Sequence, residues 1–415
     1  MLELCLFDLD NTLIRTDDLK DIREACANNS NPARLRALVE QIRQLPDRRI
    51  YSHAFLRTIR QRFPGIKLGV FTRAPRSYVN TVLDWAYPGF IWDVIIAYED
   101  VRPTKPYGDG VLVAMQHLQL HNPSAVALIG DTDVDVKAAY NSGCLVAVDT
   151  QAWPYRYLQE HWRALELVPD AFIEGEADVL AFLAEHRQFL PNMECLIESA
   201  PRQRVWRYDK IGYFMPRPLE DGGSPYQIHV AGRSFSNHGS VNPRHAVHAL
   251  TASIGACKDV VVFPPYWIET IRNFINLNFD ALFGPKEVVV TVVPHRPDRQ
   301  PRLERLLEQL AASFAVNPLE VNVTCVPDLL AYTNGVRSNH NEFLNRAERF
   351  ENVREHLIVN RPDRVERNKA YVVVDDVVTT GASLIYAERC LKAAGAGQVM
   401  LLGLSKNIGD IYAYL

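Results

Sequence analysis

The first half of the chain alternates short apolar runs with longer stretches whose apolar residues recur three and four apart. The runs Leu4–Phe7, Lys67–Phe71, Val94–Tyr98, Ala125–Ile129 and Leu145–Val148 predict strands, because a strand buried on both faces reads as an unbroken apolar segment. Between them, Pro32–Leu45 and Gly110–Leu118 carry helical spacing, and Glu176–Leu183 predicts a last helix. This rhythm implies an α/β domain: a mainly parallel, doubly wound sheet with helices on both faces. The pattern lapses over 191–227, a stretch rich in Pro, Gly, Arg and aromatic residues that predicts an irregular strand layer. It resumes from about 226, with strands expected at Val260–Phe263, Val288–Val293, Ala370–Val374 and Val399–Leu404 and helices over 303–314 and 382–394. The expectation is two α/β domains, 1–187 and 226–415, joined by an irregular linker over 188–225.

At 415 residues the chain exceeds the size at which one core divides, which agrees with two domains. Net charge is −4, with neither half strongly basic, which disfavours nucleic acid as an obligatory partner without excluding it. No apolar run approaches the roughly 20 residues that span a membrane. The N-terminus has no basic stretch ahead of an apolar one, so no secretory signal is expected. Seven scattered cysteines without a CxxC pair argue against a zinc ribbon or disulfide framework and suit a cytoplasmic protein. The oligomeric state is not legible.

Chemistry concentrates where predicted strands end. Asp8 and Asp10 close the first strand within FDLDNT; Thr72 ends the second in GVFTR; Lys105 sits in RPTKP after the third; Asp131 and Asp135 follow AVALI within GDTDVD. Two carboxylates two residues apart on a strand point the same way and repel, so a cation or a reaction must reward the pair. Carboxylates, a hydroxyl and a lysine at one edge of a parallel sheet suit phosphoryl transfer. Asp8, Asp10, Asp131 and Asp135 are candidate ligands of magnesium, which prefers oxygen. Asp8 is the candidate nucleophile and Asp10 the acid and base. Thr72 and Lys105 would hold and neutralise the phosphoryl oxygens.

Taken in order, DxDxT, a strand-end threonine, an isolated lysine and GDxxxD resemble the four motifs of the haloacid dehalogenase superfamily, over roughly residues 1–187. The resemblance implies an aspartyl-phosphate mechanism with Asp8, the Asp10 carbonyl and Asp131 on magnesium. An acid two positions after the nucleophile implies a phosphatase or phosphotransferase. About sixty residues between Asp10 and Thr72 leave room only for a small, helical cap.

A second constellation lies in YVVVDDVVTTGASL. An apolar strand ends in Asp375 and Asp376, and Thr379, Thr380, Gly381 and Ser383 form a turn opening a helix. Backbone N–H groups and hydroxyls at a helix N-terminus cradle phosphate. The two acids would accept hydrogen bonds from sugar hydroxyls, so a ribose 5-phosphate fits both. The stretch resembles the phosphoribosyl pyrophosphate (PRPP) loop of type I phosphoribosyltransferases, and AERFENV (347–353) resembles their ComF-like branch. That resemblance covers about 226–415 and implies a phosphoribosyltransferase domain binding PRPP, with His295 and Arg296 as candidate pyrophosphate contacts and Arg337 and Arg349 as candidate anion contacts. The loop AYTNGVRSNHNEF departs from the usual pattern, and its His340 reads as a loop histidine. The expected partners are phosphorylated small molecules and PRPP. The function expected is bifunctional: a transferase making a nucleotide-like product and a magnesium-dependent phosphatase removing its phosphate. The alternative is a phosphatase for nucleotide or nucleic-acid phosphates controlled by a non-catalytic PRPP-sensing domain.

Overall fold

The computed structural model describes residues 2–27, 31–200, 206–213, 226–280, 284–285, 287–337 and 344–413. The chain divides into two compact units. Unit 1 comprises Met1–Phe189, Ser236–Val247 and Gly409–Leu415; unit 2 comprises Leu190–Phe235 and His248–Ile408.

Unit 1 is built on strands β1 (Leu4–Phe7), β2 (Lys67–Phe71), β3 (Val94–Ile96), β4 (Val126–Gly130), β5 (Leu145–Asp149) and β6 (Ala171–Ile173). They pair in the order β3-β2-β1-β4-β5-β6, and every pairing is parallel. All residues of β1, β4 and β5 are buried, which is why these segments are continuous apolar runs. Helices fill the connections, because parallel neighbours need crossovers. The segment between β1 and β2 is itself helical, with Lys20–Ala25, Pro32–Arg43 and His53–Arg62. Asn31 and Ser52 cap the second and third of these, each accepting a backbone N–H of its helix.

Unit 2 contains β7 (Asp209–Tyr213), β8 (Tyr226–Val230), β9 (Arg233–Phe235), β10 (Val288–Val292), β11 (Val323–Cys325), β12 (Leu330–Tyr332), β13 (Leu357–Val359), β14 (Ala370–Val378) and β15 (Gln398–Ile408). Its main sheet runs β11-β10-β14-β15-β8-β7, with β9 also pairing β15. Only β7–β8 is antiparallel there, while β12 and β13 form a separate antiparallel pair. The apolar helices Pro265–Asn278 and Leu303–Val316 bury Trp267, Ile271, Phe274, Leu306 and Leu310 in the same core as β10 and β14.

Three expectations need correction. Val260–Phe263 is not a strand; Val261 and Val262 are exposed, and the run passes through bends into the helix that opens at Pro265. Pro264 and Pro265 supply no N–H for a ladder, so the apolar run has nothing to pair with. The third strand ends at Ile96, and Tyr98–Asp100 forms a 3-10 turn. The acids Asp375 and Asp376 lie inside β14, which continues to Val378, instead of ending it. Among the described residues no helix is long and apolar enough to cross a membrane.

Unit 1 also holds a buried ion pair between Arg244, on the short helix Asn242–His245, and Asp170, just ahead of β6, at 2.7 Å. The Arg244 guanidinium lies over the Tyr140 ring and donates to the Cys144 carbonyl. Truncating one partner leaves the other charge buried, so Arg244→Ala should destabilise the protein by about 3–5 kcal/mol, read as a lowered urea midpoint. Replacing both residues with apolar ones of similar volume should recover most of that loss.

Candidate active site

The strand order decides which side chains meet. β1 lies between β2 and β4, so the carboxyl ends of all three carry Asp8, Thr72 and Asp131 side by side. The Asp8 amide donates to the Ile129 carbonyl at 2.8 Å, fixing that residue at the sheet edge. Thr72 is buried, and its Oγ1 accepts from the Ala74 amide at 3.1 Å. Lys105, 3% exposed, points its Nζ between Asp8 Oδ1 at 2.7 Å and Asp135 Oδ1 at 2.6 Å. Asp135 also caps the helix Asp133–Ser142, its Oδ2 accepting from the Thr132 amide and hydroxyl. It approaches Gly130 so closely that a Cβ there would lie 2.2 Å from the Asp135 carboxyl carbon.

Carboxylate oxygens of Asp8, Asp131 and Asp135 lie within 4.8 Å of one another, an all-oxygen set that fits a hard divalent cation. Burial raises Asp8 to about 6; Lys105 opposes the rise, and Asp135 and Asp10 add to it. Burial also pushes Asp131 well up, reinforced by Asp135 and Asp8. Buried acids that resist ionisation together are what a cation would relieve. Asp10 stands apart from that trio: its Oδ1 accepts from the Tyr78 hydroxyl at 2.9 Å, and its Oδ2 pairs with Arg23 at 3.0 Å. Sequence reading missed Arg23 and Tyr78. Tyr78 follows Thr72 by six residues, on the helix Arg76–Ala86. Arg23 lies on the inserted helix Lys20–Ala25, and nothing in its sequence neighbourhood marks it. A cleft of about 460 Å³ is lined by Asp8, Asp10, Thr72, Lys105, Asp131 and Asp135, with Arg23 at its side.

In unit 2, β14 lies between β10 and β15. Asp375 and Asp376 line a cleft of about 600 Å³ together with His295 and Arg296. Arg302, which sequence reading also missed, ion-pairs with Asp376 and donates to the Cys257 carbonyl at 3.0 Å. His295 is held through its backbone and ring by Glu304, each at 2.8 Å. Thr379, Thr380 and Gly381 form the turn that follows β14, and Ser383 stands in the first turn of the helix Ala382–Ala393. Gly381 has φ 77°, a left-handed conformation that favours glycine. These four residues do not line the cleft, but the Tyr332 hydroxyl joins Ser383 at 3.3 Å. Burial raises that hydroxyl to about 12, an effect that Ser383 and Arg296 oppose and Asp375 reinforces. Arg337 and Arg349 do not line the cleft, and Arg349 donates to the Leu344 carbonyl at 2.8 Å. His340 lies outside the described residues.

A family model described as haloacid dehalogenase-like hydrolase matches residues 53–148. The match takes in Thr72, Lys105, Asp131 and Asp135; Asp8 and Asp10 precede it, and geometry joins them to the rest. Pyrophosphatase PpaX of Bacillus velezensis is 32% identical over 116 residues, 28% of this chain and 51% of that protein. The PpaX of Anoxybacillus flavithermus is 29% identical over 119 residues, 29% of this chain and 53% of its own. The chain spans about half the length of these curated relatives. Among solved structures, CbbY from Rhodobacter sphaeroides in complex with xylulose-1,5-bisphosphate is 20% identical, with 44% of this chain and 99% of that one covered and a TM-score of 0.35. At that score the likeness bears on nothing further. Over residues 53–148 unit 1 is thus similar to haloacid dehalogenase-like hydrolases.

Asp375 supplies a pH test. Burial raises its carboxyl to about 7, with Arg302 opposing the rise. Between the ordinary carboxylate range and that value the folded protein holds a proton that the unfolded chain has lost, so stability falls as pH rises through the window. Asp375→Asn should therefore gain stability relative to the native protein between pH 5 and pH 8, measured as the difference in urea midpoints.

Proposed function

We propose that unit 1 is a magnesium-dependent phosphohydrolase and that unit 2 binds PRPP and transfers its ribose 5-phosphate to an acceptor. The observation that carries the first half is the buried Asp8–Lys105–Asp135 chain beside Asp131, at the carboxyl ends of adjacent parallel strands. Magnesium, held by Asp8, Asp131 and Asp135 with the Asp10 carbonyl, would offset the charge of the nucleophile and the phosphoryl oxygens. Asp8 attacks phosphorus to form an acyl phosphate, and the departing oxygen takes a proton from Asp10. Asp10 then deprotonates a water that attacks the same phosphorus and frees Asp8. Arg23 and Tyr78 orient the Asp10 carboxyl, and Thr72 and Lys105 hold the phosphoryl oxygens.

The second half rests on the cleft that joins Asp375 and Asp376 to Arg296, with the Thr379–Gly381 turn next along the chain. Linked on one chain, the two sites would pass a nucleotide-like product from transferase to phosphatase at raised effective concentration. A second reading, a non-catalytic PRPP- or nucleotide-sensing unit 2, is favoured by one observation: Arg302 already occupies Asp376.

Asp8→Asn should lower magnesium-dependent phosphate release by more than about 10³-fold, with p-nitrophenyl phosphate, pyrophosphate and nucleoside monophosphates as the substrates compared. Pyrophosphate belongs in that set because the PpaX relatives are named as pyrophosphatases. Undiminished release by the variant would discard Asp8 as nucleophile. The same variant, incubated with PRPP, magnesium and a metabolite extract, tests unit 2 by phosphorus NMR. Enzyme-dependent pyrophosphate is the expected result; PRPP bound but left intact would favour the sensing role.

A further inference from the structure

Two short segments from the C-terminal half of the sequence belong to unit 1: Ser236–Val247, which follows β9, and Gly409–Leu415, which follows β15. They engage the stretch that carries Lys105. The Gly108 amide, three residues beyond that lysine, donates to Asn141 Oδ1 at 2.9 Å. Asn141 Nδ2 in turn donates to the Ser240 carbonyl at 3.1 Å. The Tyr107 ring packs on the Tyr412 ring, with centroids 4.5 Å apart and planes tilted by 32°. The two segments hold each other as well: Ser240 Oγ donates to Asp410 Oδ1 at 2.9 Å, and the same carboxylate oxygen accepts the Tyr412 amide at 3.0 Å. The Arg244–Asp170 pair anchors the first segment beneath β6.

We propose that Asn141 and Tyr412 are positioning residues: through Gly108 and Tyr107 they hold the Lys105 loop so that its ammonium stays between Asp8 and Asp135. The inference rests on the phosphohydrolase reading of unit 1, and through Tyr412 it makes that site dependent on a residue more than 200 positions away in sequence. Its physical warrant is the steepness of positioning: a displacement of about 1 Å at a catalytic group can cost 10²-fold in rate. Lys105 has no slack, because its Nζ is within 2.7 Å of two carboxylates, one at the end of β1 and one on the helix after β4. Among the described residues the buried Tyr412 hydroxyl has no hydrogen-bond partner, so the ring face is the part that acts.

The test uses full-length protein carrying Tyr412→Ala, Tyr412→Phe or Asn141→Ala. Magnesium-dependent hydrolysis of p-nitrophenyl phosphate is read as separate kcat and KM values, and hydrogen exchange is followed over 104–110. The alanine variants should lose about 10–100-fold in kcat, with KM and the unfolding midpoint near native and faster exchange at Gly108. Tyr412→Phe should behave as native. Native kcat in both alanine variants would overturn the proposal, as would a parallel fall of kcat, KM and midpoint with loop protection unchanged. If the native protein hydrolyses no phosphate ester, the functional reading fails on its own. Exchange then decides the brace: faster exchange over 104–110 in the alanine variants upholds it, and unchanged exchange overturns it.

Discussion

The buried ammonium of Lys105 is the interaction on which unit 1 depends. Asp8, Asp131 and Asp135 crowd one edge of the sheet with little access to water, and ionised together they repel at short range. A single cation between Asp8 and Asp135 makes the cluster tolerable. It also ties three chain segments to one geometry: the end of β1, the loop after β3 and the helix after β4. Burying a charged triad costs several kcal/mol of desolvation per ion, which only close pairing and further hydrogen bonds offset. Asp135 meets that condition by serving also as a helix cap. A hydrophobic core of equal size would outdo the arrangement in stability.

Unit 2 repeats the principle with different parts. Asp375 and Asp376 lie on a central parallel strand, and a guanidinium, Arg302, reaches them from the start of the helix Leu303–Val316. In parallel sheets, ligands gather beyond the carboxyl ends of the strands, where neighbouring connections diverge. Both clefts lie near such ends, and in both a cation from a neighbouring connection partly neutralises the acids: Lys105 offsets Asp8 and Asp135 in unit 1, and Arg302 offsets Asp376 in unit 2. The two differ in what stands beside the acids: in unit 2 the turn Thr379–Gly381 follows β14 and opens the helix Ala382–Ala393, whereas in unit 1 Thr72 and Lys105 are buried next to Asp8.

Much of this was legible in the chain. Buried parallel strands must be apolar throughout, so β1, β2, β4, β5, β10 and β14 stood out as runs, and the polar residues behind them stood out as departures. Short elements did not: β6 and β9 have three residues each, too few to establish a period. Val260–Phe263 misled because an apolar run reads alike whether or not a neighbouring strand exists to pair with it.

The sequence by itself determined where the apolar runs lie and that Asp8, Thr72 and Asp131 stand directly behind three of them, because alternation and motif spacing are local properties. Tertiary structure alone decided that Arg23 and Tyr78 flank Asp10, that Arg302 neutralises Asp376, and that Asn141, Ser240 and Tyr412 gather around the Lys105 loop. Such contacts join side chains from elements far apart along the chain. Their partners are selected by strand order and by the direction each helix faces, and neither is written in the local pattern of apolar and polar residues.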